Sequence, residues 1–196
     1  MTKRAFLIPS LATTLFLVFV LAEPALAKKA KTFLESDDAK EVDEPQKYLP
    51  DYGKLVAGKD ADWVCFPNGS LAAYKKVVVN AFESNAVESH KVDGRHAAEY
   101  APELMKKWLV KQGFEIVDSG GDMVIDGNVF NAWEPSGGAR FWGGWMANHG
   151  CGTEIVLKDK KGDILGFVRH KSRGSTINDA VENGLEEVVK AIAKGK

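Results

Sequence analysis

The sequence predicts the α/β fold class, as a two-layer sandwich in which a mixed sheet of about five strands carries two amphipathic helices on one face. Three patterns carry this prediction. A β-branched run at 76–82 is followed by a helical period over 96–112 and a second strand at 114–117. Two apolar strands, 154–158 and 164–169, flank Asp159-Lys160-Lys161-Gly162-Asp163, a hairpin connection with Gly162 at its left-handed position. A Thr176/Asp179 capping box then opens an apolar stripe of Ile177, Ala180, Val181, Gly184, Leu185, Val188 and Ile192.

The chain starts with an address. Lys3 and Arg4 precede an apolar run from Ala5 to Ala22, and Ala25 and Ala27 supply the small residues of a cleavage site. This is the pattern of a secretory signal peptide over residues 1–27, with cleavage expected between Ala27 and Lys28. An uncleaved anchor is the alternative, but Pro9, Ser10, Thr13 and Thr14 dilute the run. No Cys lies near the site to carry a lipid, so a periplasmic or secreted protein that is not a lipoprotein is expected. Residues 28–47 hold dense mixed charge and few apolar side chains, which predicts a mobile tail. A single α/β domain over 48–196 follows.

Within that domain, residues 48–74 mix Pro50, Gly53, Gly58, Pro67 and Gly69 with scattered aromatics, and read as a strap that packs on the core without regular structure. In the first helix Ala97, Ala101, Leu104, Met105 and Trp108 share a face, Gly113 follows as the cap, and Pro102 marks a kink or a first turn. Strand–helix–strand over 76–118 implies a parallel pair. A further strand is predicted at 123–133, and Gly195 ends the last helix.

With 26 basic against 27 acidic residues, the chain is no polycation that holds nucleic acid by counterion release. Export changes the reading of its two cysteines, because an oxidising compartment favours a Cys65–Cys151 disulfide. Closing so long a loop would stabilise by about 4 to 5 kcal/mol in the chain-entropy model. Two buried free thiols are the alternative.

Several of these segments carry a resemblance. The strand at Tyr74–Phe82, the helix end Trp108-Leu109-Val110-Lys111-Gln112-Gly113-Phe114, Val124-Ile125-Asp126-Gly127, Arg140 before glycines, and Asp159-x-x-Gly162-x-Ile164-Leu165 follow one another in order. Together they resemble the exported bacterial domain-of-unknown-function 4410 family. The opening Tyr48-Leu49-Pro50-Asp51-Tyr52-Gly53-Lys54-Leu55 is similar to that of the domain-of-unknown-function 3313 family. The resemblance implies a binding or assembly module of the bacterial envelope. It brings no catalytic residues, and the chain departs from many such proteins in lacking the lipid-bearing Cys.

Candidate chemistry is sparse. None of His90, His96, His149 and His170 has the i, i+4 spacing of helical metal ligands, and a zinc site of His90 and His96 with Glu88 or Asp93 is outweighed by plain loop chemistry. Asp118 and Asp122 bracket glycines as turn residues, and Asn68-Gly69-Ser70 reads as a turn. No phosphate loop, dinucleotide fingerprint or nucleophile elbow occurs. The segment Ser136–Gly152 stands out, because it sets Arg140, Phe141, Trp142, Trp145, Met146 and His149 among glycines. Those residue types are enriched at interface cores, although large aromatics are also the usual plugs of a domain's end.

The expected function is a non-enzymatic exported envelope module without metal or cofactor. It binds an envelope protein or supports assembly of an envelope complex, and the aromatic loop is compatible with peripheral membrane association. Two alternatives stand beside it. One is a small secreted hydrolase or metal-binding enzyme using His96, His149 or Asp126. The other is a binder of a hydrophobic small molecule or lipid through the Trp-rich loop.

Overall fold

Alternation along the central strands sends Met123, Ile125, Ile155, Leu157 and Val168 to one face of a sheet and Asp126, Asn128, Glu154, Val156 and Arg169 to the other. The structure, a computed structural model, describes residues 31–42, 47–69, 71–86, 94–135 and 148–195. The signal segment with Ala27 and Lys28, and the loop residues Arg140 to Met146, lie outside them.

Among the described residues the strands are β1 (Val56–Ala57), β2 (Trp63–Cys65), β3 (Lys76–Ser84), β4 (Glu115–Ile116), β5 (Met123–Trp133), β6 (His149–Asp159) and β7 (Ile164–Gly174). The helices are α1 (Gly94–Lys111) and α2 (Ile177–Lys194). The strands form one mixed sheet in the order β1-β2-β7-β6-β5-β3-β4. β3 pairs in parallel with β4 and β5, which α1 separates from it in sequence. All other pairings are antiparallel.

The sheet has seven strands rather than about five. The additional pair, β1 and β2, lies within the segment expected to lack regular structure. Strands of two and three residues are too short to show a period of two. β2 is buried on both sides, with Val64 facing the helices and Trp63 and Cys65 facing away.

Both helices lie on the same face, α1 over β3 and β5 and α2 over β6 and β7. The Thr176/Asp179 capping box forms, and Gly195 at φ 61° ends α2. Gly162 takes φ 91° in the β6–β7 hairpin. Pro102 sits inside α1 and not in its first turn. No helix of the described residues is long and apolar enough to cross a membrane.

The opposite face is covered in part by the chain's N-terminal side. Residues 31–42 make two 3-10 turns, Phe33–Glu35 and Asp37–Glu41, where the composition predicts a mobile tail. Phe33 is 1% exposed and joins Leu49, Tyr52, Leu55, Trp63, Val156 and Phe167 in a second apolar cluster. One well-placed aromatic anchors a segment whose average composition is too polar to suggest it.

The two faces also correct the disulfide. Cys65 and Cys151 are both free and buried. Cys65 belongs to the cluster away from the helices and Cys151 to the core beneath them. Their ladder positions, Cys65 opposite Phe167 and Cys151 opposite Ser172, place them roughly 19 Å apart by strand spacing and rise. A disulfide needs Cα atoms within about 7 Å. Burial pushes the Cys151 thiol up to about 12, and the Cys65 thiol up as well, so neither is poised as a thiolate.

His170 on β7 faces the helices and is buried between two carboxylates. Its Nδ1 lies 3.0 Å from Asp62 Oδ2 and its Nε2 2.7 Å from Glu187 Oε2. Burial pushes its pKa down, but the hydrogen bond and charge of Asp62, with Glu187, outweigh that and raise it above the usual 6.5. Stability from protonated His170 is therefore fully present below about pH 6.5 and lost as pH rises through the raised folded value. Chemical denaturation should show wild-type stability falling with pH across that window and His170→Gln flattening the slope. Identical slopes for the two proteins would contradict this assignment.

Candidate functional site

The face away from the helices carries charge where a sheet ordinarily buries apolar side chains. Glu154 on β6 is 0% exposed and Arg169 on β7 is 3% exposed, and they pair directly through Arg169 Nη1 and Glu154 Oε1. Burial costs such a pair unless its other polar atoms are hydrogen-bonded, and here the Glu154 oxygens gain further partners while Arg169 Nε and Nη2 have none among the described residues. Tyr52 Oη donates to Glu154 Oε1 at 2.8 Å, and Asn128 Nδ2 donates to Oε2 at 3.2 Å. Asn128 is itself locked to Asn85, donating to its Oδ1 at 2.8 Å and accepting from its backbone N–H at 3.1 Å. Burial and the Glu154 charge push the Tyr52 hydroxyl up to about 12, so it stays a donor.

Aromatic rings wall the guanidinium. Its carbon lies 3.5 Å from the Phe130 ring centre and 5.6 Å from that of Phe33. Phe130 reaches this position because residue 152 is glycine, where an added Cβ would sit 2.5 Å from the ring. Gly150 admits the Trp133 indole in the same way, and Arg173 lies 5.5 Å from that ring.

Beside this network the same face opens. A cleft of about 440 Å³ is lined by Tyr48 and Pro50 of the strap, Ala81 and Glu83 of β3, Asp126 of β5, Val156 and Lys158 of β6, and Ile164 of β7. Within it Asp126 accepts from Asn80 at 2.7 Å and pairs with Lys158 at 2.8 Å. Burial pushes the Asp126 carboxyl up, but these two partners outweigh it and hold it below the usual carboxylate value. Burial, with the charges of Asp126, Glu83 and Glu154, pushes the Tyr48 hydroxyl well above its usual value. The cleft thus presents a carboxylate–ammonium pair, a further carboxylate and a neutral phenol, flanked by Pro50, Val156 and Ile164.

The sequence candidates fall differently. Of the loop set only His149 is described, at the start of β6 with Nε2 3.8 Å from Glu134 Oε1. Asp126 pairs across the ladder with Val156, about 23 Å along β6 from His149 at the rise of a strand. His96 is exposed in the first turn of α1, over the other face. The three residues considered for an enzyme are not brought together. Sequence reasoning missed Glu154 and Arg169, and the available signal was their position out of phase with the core residues Ile155 and Val168.

No family model matches the chain, and no curated protein matches it. Its architecture is similar to that of the PelC dodecamer subunit from Paraburkholderia phytofirmans, at 16% identity and a TM-score of 0.50 over 66% of this chain and 96% of that one. The likeness is one of fold. A DUF4136 family protein from Bacteroides thetaiotaomicron is 11% identical at a TM-score of 0.37, covering 71% of this chain and 100% of that one. A minor lipoprotein from Acinetobacter baumannii is also 11% identical, at 0.32, over 62% and 94%.

Proposed function

We propose that this chain is a non-enzymatic exported module of the bacterial envelope that binds a protein partner or supports assembly of an envelope complex. The observation that carries the reading is the cleft on the sheet face away from the helices, open beside the buried Glu154–Arg169 network. Its mixed lining of paired charges and apolar side chains suits a protein surface. The fold shared with a PelC subunit, itself part of a dodecamer, supports an assembly role.

Ala81 is exposed and lines the cleft, so Ala81→Trp fills it at little cost to the fold. Capture of a partner from envelope extract should fall at least about tenfold for this variant, as expected when about 1.4 kcal/mol of binding is removed. Unchanged capture by folded A81W would remove the cleft from the binding surface.

A further inference from the structure

We propose that the cleft takes the cationic side chain of a lysine or arginine on a protruding segment of the partner, with its charge against Glu83. This rests on the reading above, that the cleft meets a protein, and adds the chemistry of what enters it.

A break in the ladder builds the cleft's open wall. β3 keeps register with β5 up to Val79 opposite Ile125 and resumes at Phe82 opposite Gly127, so β3 holds one residue more than β5 across this step. Such a bulge re-aims the side chains beside it. Here Asn80 reaches Asp126, while Ala81 and Glu83 are exposed along the cleft. The wall also stands near the margin of the sheet. β4 pairs with Lys76 and Val77 alone, so from Val78 onward β3 has no further strand beside it among the described residues. A segment of another protein can reach the cleft from that side without displacing a strand.

Charge selects the occupant. Of the lining groups Lys158 is the cation, and it is tied to Asp126 at 2.8 Å. Glu83 adds a second carboxylate, exposed and without an ion-pair partner among the described residues. Burial, and then the charges of Asp126, Glu83 and Glu154, push the Tyr48 hydroxyl up, an independent sign that the cleft is negative at this end. An anionic side chain would meet Glu83 and compete with Asp126 for Lys158, and an apolar one would cover Glu83 without a counter-charge. A long cationic side chain pairs with Glu83 and has Pro50, Val156 and Ile164 for its methylenes.

The test titrates the isotopically labelled chain with three acetylated and amidated pentapeptides, which place arginine, citrulline or glutamate between two isoleucines, and reads amide NMR shifts. The arginine peptide is expected to shift the amides of Tyr48, Ala81 and Glu83 to saturation, with the other two at least about threefold weaker, the worth of one exposed ion pair. Glu83→Gln, at an exposed position that tolerates change, should remove that preference, and Glu83→Lys should reverse it toward the glutamate peptide. The proposal is overturned if the three peptides shift those amides alike, if the glutamate peptide binds the wild type best, if E83Q keeps the preference, or if no peptide moves those amides. Partner capture by A81W then tells the two failures apart. Reduced capture keeps the cleft as the protein-binding surface with another chemistry, and unchanged capture removes that reading as well.

Discussion

Arg169→Met is expected to cost about 3 to 5 kcal/mol of folding stability, because it leaves the Glu154 carboxylate buried without its counter-charge. Met keeps most of the stem that packs between Phe130 and Phe33, so the loss reports charge rather than volume. Glu154→Leu should be similarly damaging, since it strands the guanidinium and removes the acceptor used by Tyr52 and Asn128. The double variant decides the matter. With both charges gone, its cost should fall short of the summed single costs by about 2 to 3 kcal/mol, the coupling expected of groups in one network. An exposed ion pair would couple by no more than about 1 kcal/mol. Urea denaturation of the four proteins measures this cycle, and near-additivity would mean that the pair is solvated.

Phe33→Ala is expected to be strongly destabilising although it lies outside the central sheet. Removing a fully buried Phe ring costs about 3 to 5 kcal/mol, and here it also opens the pocket formed by Trp63, Tyr52 and Arg169. If residues 28–47 were a solvated tail, the same change would stay within about 0.5 kcal/mol. Leu34 beside it is 64% exposed, which makes Leu34→Ala the matched control with an effect in that smaller range. Thermal and chemical melts of both variants check the contrast, and equal, small effects would return the segment to the status of a tail.

The contrast between these two leucine and phenylalanine neighbours shows where the sequence is readable. Elements that announce themselves locally emerge as expected: the Thr176/Asp179 cap, the Gly162 turn, the apolar stripe of α2 and the parallel pairing across α1. The cap, the turn and the stripe are specified by residues within a few positions of one another, and the parallel pairing follows from the strand–helix–strand order alone. What stays hidden depends on distant pairing. β1 and β2 are too short to show a period and exist because β7 offers them an edge. Phe33 is a lone ring in a charged run, and its pocket is built by residues from Tyr52 to Arg169.

The site follows the same rule. Glu154 and Arg169 sit at alternating positions that ordinarily face solvent, and only the strap laid over them turns those positions inward. The disulfide expectation fails for the complementary reason. Two cysteines and an export signal give a chemical motive for pairing, but the parity of a pleated sheet sends Cys65 and Cys151 to opposite faces. Asp126, considered for an enzyme, is instead tied to Lys158 and Asn80 as part of the cleft floor.

Under the proposed function, the sheet face away from the helices is the surface that meets a partner. Amide hydrogen exchange, measured on the full chain alone and with any protein recovered with it from envelope extract, is the direct test. Added protection is expected at the cleft, over Tyr48–Pro50, Ala81–Glu83 and Lys158–Ile164, with the outer faces of α1 and α2 unchanged. Protection confined to those helices, with the cleft exchanging as in the free chain, would contradict it.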